Sequence, residues 1–104
     1  MTQKLLSIAA AVLVAISVMG GSAHAQSGCY ADYKAKRSSG GSLELHYGVI
    51  QLGQNACNNA TRRQRAVAQR IGADGWTLLR VLSTFDQNGL SQRQGNAGQY
   101  FLRY

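Results

Sequence analysis

Two segments with alternating apolar and polar positions follow the apolar start of the chain. From Cys29 to Lys36 the side chains alternate with a period of two residues, which indicates a half-exposed β-strand. Serine and glycine are frequent in residues 37–42, which indicates a turn. A second alternating segment then runs from Leu43 to Leu52. The two segments predict a β-hairpin.

A helical period replaces the alternation after Cys57. Asn58 or Asn59 can cap the helix, because a short side-chain carbonyl accepts the free N–H groups of its first turn. Val67 and Ile71 recur on one side of the helical wheel together with small residues, and Gly72 is expected to end the helix. Because this apolar stripe is narrow, the helix must pack closely on a sheet.

The segment from Trp76 to Phe85 is apolar on both faces, which is typical of a strand in the middle of a sheet. Asn88 and Gly89 indicate a hairpin turn, residues 91–99 show no clear period, and Tyr100–Tyr104 alternate as a last strand. The order β-β-α-β-β predicts a single α+β domain with a four-stranded antiparallel sheet and one helix packed on one face.

One helix covers only one face of such a sheet, so apolar side chains on the other face need a second cover. A partner protein, a second copy of the chain or an apolar groove would explain them. A strongly coiled sheet, or residues 91–99 folding across this face, would cover them within the chain. The predicted partner face consists of Trp76, Leu78, Leu82, Tyr100 and Leu102.

The first 25 residues have the pattern of a cleaved signal peptide. Lys4 precedes an apolar run of 15 residues, Leu5–Met19, and the small-residue site Ala23-His24-Ala25 fits cleavage before Gln26. A membrane anchor is the alternative, but the run is short against the roughly 20 residues that span a bilayer. We therefore predict a periplasmic or secreted protein whose single domain is residues 26–104.

The cysteines Cys29 and Cys57 both follow the predicted leader. An exported chain meets an oxidising compartment, and neither cysteine belongs to a C-x-x-C pair that would favour a reactive thiol. The sequence therefore predicts a structural disulfide between them. Lipidation of Cys29, which follows Ser27 and Gly28, is the alternative.

The chain is basic. Without Lys4, ten of the eleven Lys and Arg residues remain against four Asp and Glu, a net charge of +6. This charge favours anionic partners such as lipid headgroups or envelope polymers, and export makes nucleic acid an unlikely one. One side of the helix carries arginines that suit anion binding, unless they form an ordinary solvated face: Arg62, Arg63, Arg65 and Arg70.

No residue pattern indicates catalysis. His46 is the only histidine after the leader, the acids Asp32, Glu44, Asp74 and Asp86 are isolated, and no metal-ligand or cofactor spacing is present. The sequence therefore predicts a non-enzymatic domain without cofactor or metal. Binding of an envelope protein or self-assembly is the first hypothesis for its function. Anion binding through the arginine side of the helix is the second.

One motif resembles a known group. The segment Ile71–Leu78, preceded by a helix and followed near the end of the chain by Tyr100–Arg103, resembles small uncharacterised bacterial domains with a Gly-Ala-Asp/Glu-Gly-Trp turn, a family of unknown function. Cys29–Lys36 and Leu45–Val49 are similar to segments of small exported hypothetical proteins of Gram-negative bacteria. The resemblance implies a compact sheet-plus-helix fold and supplies no catalytic residues.

Overall fold

The computed structural model describes residues 28–104, so the predicted leader, residues 1–25, lies outside the described residues. Short 3₁₀ turns occupy Gln87–Gly89 and Gly98–Tyr100. None of the helices in the described part of the chain is long and apolar enough to cross a membrane. The strands and helices, in chain order, are β1 (Cys29–Ser39), β2 (Ser42–Leu52), α1 (Gln54–Cys57), α2 (Ala60–Gly72), β3 (Thr77–Phe85) and α3 (Leu90–Ala97).

The sheet of this α+β domain has three antiparallel strands in the order β2-β1-β3. The predicted hairpin is confirmed: Ser39 pairs with Ser42 around Gly40 and Gly41, whose φ angles of +58° and +85° favour glycine. The sequence predicted the segment from Trp76 to Phe85 in the middle of the sheet. This prediction is wrong, because β3 lies at an edge of the sheet and β1 lies in the middle.

The fourth strand that the sequence predicted is absent from the described residues. Tyr100 ends a 3₁₀ turn, and only Phe101 makes a single bridge, to Val49 of β2. Positive φ angles at Gly98 (+54°) and Leu102 (+56°) interrupt the extended backbone that a strand requires. The order β-β-α-β-β is therefore corrected, and most of residues 91–99 belong to α3.

Helix α2 covers the first face of the sheet and forms the core with it. Asn59 caps the helix by accepting a hydrogen bond from the N–H of Arg62 (2.9 Å), as predicted. Val67 and Ile71, the large residues of the predicted stripe, are fully buried. The core residues are Ala31, Tyr33, Ala35, Ile50, Leu52, Val67, Ile71 and Trp76.

The predicted disulfide between Cys29 and Cys57 is present and ties the start of β1 to α1. The two Cα atoms lie 6.4 Å apart, within the usual range for a disulfide. Closing a loop of this length stabilises a chain by about 3–4 kcal/mol in the chain-entropy model. In a domain of this size that is a large share of the total stability.

Helix α3 covers part of the second face, as expected if residues 91–99 folded across the sheet. Asp32, buried on this face, joins the strands to the helix. Its carboxylate accepts hydrogen bonds from Ser83 Oγ (2.7 Å), Tyr47 Oη (2.9 Å) and Arg93 Nε (3.1 Å). Arg93 of α3 also lies over the ring of Phe85, 3.9 Å from its centroid. These contacts fix α3 over one half of the face only.

Candidate functional site

The half of the second face nearest the hairpin turn is exposed. Its leucines are accessible to solvent by 64% at Leu43, 66% at Leu45 and 49% at Leu79, values that are unusual for large apolar side chains grouped in one place. Exposed basic side chains lie among them. We call this surface the leucine face, defined by Leu43, Leu45, Leu79, Lys34, Lys36 and Arg80.

The hairpin register brings leucines and lysines to the same side of the sheet. Lys36 pairs with Leu45, and Lys34 pairs with Tyr47, so these side chains share a face. The sequence contains the signal for this arrangement. If Gly40 and Gly41 are taken as a two-residue turn, the register follows, and the lysines of β1 fall opposite the leucine-bearing strand.

Leu79 reaches the leucine face because β3 is irregular. The pairing of β3 with β1 shifts twice, between Asp32 and Tyr33 and between Lys34 and Ala35. Each shift adds a residue to β3 and changes which side the following residues take. Strict alternation would place Leu79 and Val81 on the same side of the sheet, but Val81 packs against the core.

A small groove lies on the leucine face between β2 and β3. Its lining includes Leu45 and Tyr47 on one side, Leu79 on the other and Lys34 between them. Its volume of about 240 Å³ is smaller than that of ordinary small-molecule sites, which measure roughly 300–1,000 Å³. The surface is therefore suited to contact with another surface rather than to enclosing a small molecule.

The residues of the predicted partner face do not form one surface. Trp76, only 4% exposed, belongs to the core, and Leu78 and Tyr100 pack against that core. Leu82 is half-buried, and Leu102 is exposed in the C-terminal segment. The expectation of one uncovered face along these five residues is therefore corrected, and the leucine face is the exposed apolar surface instead.

The four arginines on the predicted arginine side of α2 differ in their contacts. Arg63 donates a hydrogen bond to the carbonyl of Cys57 (2.7 Å), and Arg70 donates to carbonyl groups of Gln51 and Tyr104. These two guanidinium groups hold α2 to neighbouring segments. Arg62, Arg65 and Arg70 are all exposed, but the guanidinium of Arg70 is already engaged by these carbonyl groups, which leaves Arg62 and Arg65 as the better placed for binding an anion.

An aromatic cluster surrounds His46 at the edge of the core. The imidazole stacks on Tyr100 with ring centroids 3.7 Å apart and lies nearly perpendicular to Trp76 with ring centroids 4.2 Å apart. Its Nε2 forms a hydrogen bond of 2.9 Å with Tyr33 Oη, and Arg37 lies over Trp76. The cluster joins the C-terminal segment to the first face of the sheet.

Burial, and then the positive charges of Arg37 and Arg103, lower the pKa of His46 to about 4. The imidazole is therefore neutral in the folded protein near neutral pH. It is 8% exposed, and its hydrogen bond is to Tyr33, whose pKa burial raises. This arrangement supports packing, and sequence patterns missed it because the aromatic partners come from distant segments.

Comparisons with known proteins assign neither a family nor a function to this chain. No family model, curated protein or solved structure matches the chain. Within residues 28–104, no three His, Cys, Asp or Glu side chains are grouped so that they could hold a metal ion. The resemblance to the bacterial domains of unknown function stays a prediction.

Proposed function

We propose that this protein is an exported, non-enzymatic binding module that contacts a component of the cell envelope through the leucine face. One observation carries the proposal: on the half of the sheet that α3 leaves uncovered, the exposed side chains of Leu45 and Leu79 line a groove and a third exposed leucine, Leu43, lies on the same face. Exposed leucines placed together are costly to solubility, so a surface that keeps them is best explained by an interaction.

The chemistry of the remaining surface supports a binding role over an enzymatic one. His46 is neutral and enclosed by aromatic rings, and Asp32 is fully engaged by three donors. A general base needs a pKa near the working pH and access to the reacting group. Anion binding through α2 has less support, because Arg63 and Arg70 already hold internal carbonyl groups.

Replacing Leu45 and Leu79 together with serine tests the proposal. Both side chains are largely exposed, so the free energy of unfolding should change by no more than about 0.5 kcal/mol per site. We expect the variant to fold normally but to shift from the envelope fraction to the soluble fraction when the producing cells are fractionated.

Leu102→Ser is the matched control, since Leu102 is also exposed (42%) but does not line the groove. It should distribute between the fractions as the unaltered protein does. Equal envelope retention of all three proteins would reject the leucine face as the binding surface. A large loss of stability in the double variant would instead show that these leucines contribute to the packing of the fold.

A further inference from the structure

The basic residues of the leucine face repel one another across the sheet. Lys34 and Arg80 are direct register partners in neighbouring strands, and Lys36 lies two residues along the same face. Like charges placed opposite each other destabilise a sheet, so this arrangement carries a cost in the isolated protein. An anionic partner would remove that cost.

The described part of the chain supplies no such anion. Glu44 pairs with Arg37 at 3.1 Å, and Asp32 pairs with Arg93 at the same distance. Asp74 lies near Arg37 and accepts a hydrogen bond from Tyr104, while Asp86 caps the turn after β3. Three of these acids lie outside the leucine face. Asp32 lies on the same side of β1 as Lys34, but its charge is paired with that of Arg93, so the positive charge of Lys34, Lys36 and Arg80 is left uncompensated.

From this complementarity we infer that the leucine face docks on the surface of an anionic lipid bilayer. The inference rests on the proposed function and names its partner. Leucine side chains can enter the boundary between headgroups and acyl chains, while Lys34, Lys36 and Arg80 reach the lipid phosphates from the same side. Basic residues held at an anionic surface each strengthen binding.

The hairpin turn is compatible with close approach to a membrane. Residues 38–42 are serine and glycine, exposed and without charge. No ionised group in this turn would have to lose its water when Leu43 and Leu45 meet the headgroups.

Other occupants fit less well. A two-fold dimer through the leucine face would bury the same patch of both copies, so Lys34, Lys36 and Arg80 of both would enter one interface in which the described part of the chain places no unpaired acid to balance them. Strand addition by a peptide at β3 is disfavoured by the two register shifts, which distort this edge of the sheet. An anionic lipid surface meets neither obstacle.

Sedimentation with lipid vesicles tests the inference on the processed protein purified from the producing cell. We expect binding to vesicles that contain phosphatidylglycerol and little binding to phosphatidylcholine alone. Lys34→Gln combined with Lys36→Gln should weaken the partition about 25-fold, since each basic residue near an anionic surface contributes roughly fivefold. Leu45→Ser with Leu79→Ser should weaken it by at least about tenfold.

Arg62→Gln combined with Arg65→Gln is the matched control. It also removes two positive charges, but from the exposed side of α2, where no leucine accompanies them. Its effect should not exceed about threefold, because salt screens charges beyond roughly 10 Å. An equal loss in both charge variants would overturn the inference, since the protein would then bind through its net charge alone.

Three further outcomes would overturn it: no preference for phosphatidylglycerol, displacement by inorganic phosphate beyond that caused by chloride at equal ionic strength, or binding to an acidic polypeptide but to no vesicle. The last would indicate a protein partner. The two tests can also disagree, if the protein binds no vesicles in vitro while Leu45→Ser with Leu79→Ser still shifts it out of the envelope fraction in cells. The leucine face would then remain the binding surface, and only the lipid partner would be rejected.

Discussion

Replacing Asp32 with alanine is expected to lower the free energy of unfolding by about 3–4 kcal/mol, a large part of the stability of so small a domain. The carboxylate accepts hydrogen bonds from Ser83, Tyr47 and Arg93, which come from β3, β2 and α3. Without it, the guanidinium of Arg93, three-quarters buried, loses its ion pair. Urea unfolding measures the loss.

The same hydrogen bonds and ion pair that stabilise the fold also set the pKa of Asp32. Burial alone would raise it, but the hydrogen bonds from Ser83, Tyr47 and Arg93, with the charge of Arg93, outweigh burial and hold the pKa below its usual value. The stabilisation is therefore complete above the unfolded-state pKa near 3.8 and is lost as the pH falls through the lower folded-state value.

Asp86→Ala is the control for this variant. Asp86 is exposed and accepts one backbone hydrogen bond, from the N–H of Asn88 (2.9 Å). Its loss should cost about 1 kcal/mol, as for other capping residues. If Asp32→Ala cost no more than Asp86→Ala, the network would not be what fixes α3 on the second face.

Acidification from pH 6.5 to 4 is expected to remove about 3 kcal/mol of stability through His46 alone. The pKa of this imidazole falls from 6.5 to about 4 on folding. The unfolded chain thus binds a proton that the folded protein excludes. Stability is fully present above pH 6.5 and declines as the pH falls towards the folded-state pKa. Urea unfolding at a series of pH values measures this slope.

His46→Phe identifies the source of the slope. Phenylalanine keeps a ring against Tyr100 and Trp76 but cannot titrate, so the variant should lose most of the decline between pH 6.5 and 4. Its absolute stability also changes, because the hydrogen bond to Tyr33 is lost, so only the slope is informative. An unchanged slope would mean that His46 titrates normally in the folded protein.

Local signals in the sequence were sufficient for several elements. The glycine pair at Gly40 and Gly41, the cap at Asn59 and the helical stripe of Val67 and Ile71 each act over a few residues, and the structure contains all three. The disulfide followed from the number of cysteines and the expected compartment. Such features depend little on the rest of the chain, which is why patterns can find them.

The errors came from contacts between distant segments. Asp32 has the pattern of a solvent-facing strand residue, yet it is buried and accepts a hydrogen bond from Arg93, far along the chain. Strand β1 is central because it pairs with both β2 and β3. Residues 90–97 have little helical pattern but are held as α3 by contacts with the sheet. The register shifts in β3 moved Leu79 to the exposed face, which alternation alone could not show.

The leucine face can be probed directly, because Lys34 and Lys36 are the only lysines after the predicted leader. An amine-reactive acetylating ester, followed by mass spectrometry, reports their accessibility. In intact envelopes both lysines should react several-fold more slowly than in the isolated protein, and Leu45→Ser with Leu79→Ser should abolish this protection. Equal reaction rates in the envelope and in isolation would show that nothing covers this surface and would contradict the proposed function.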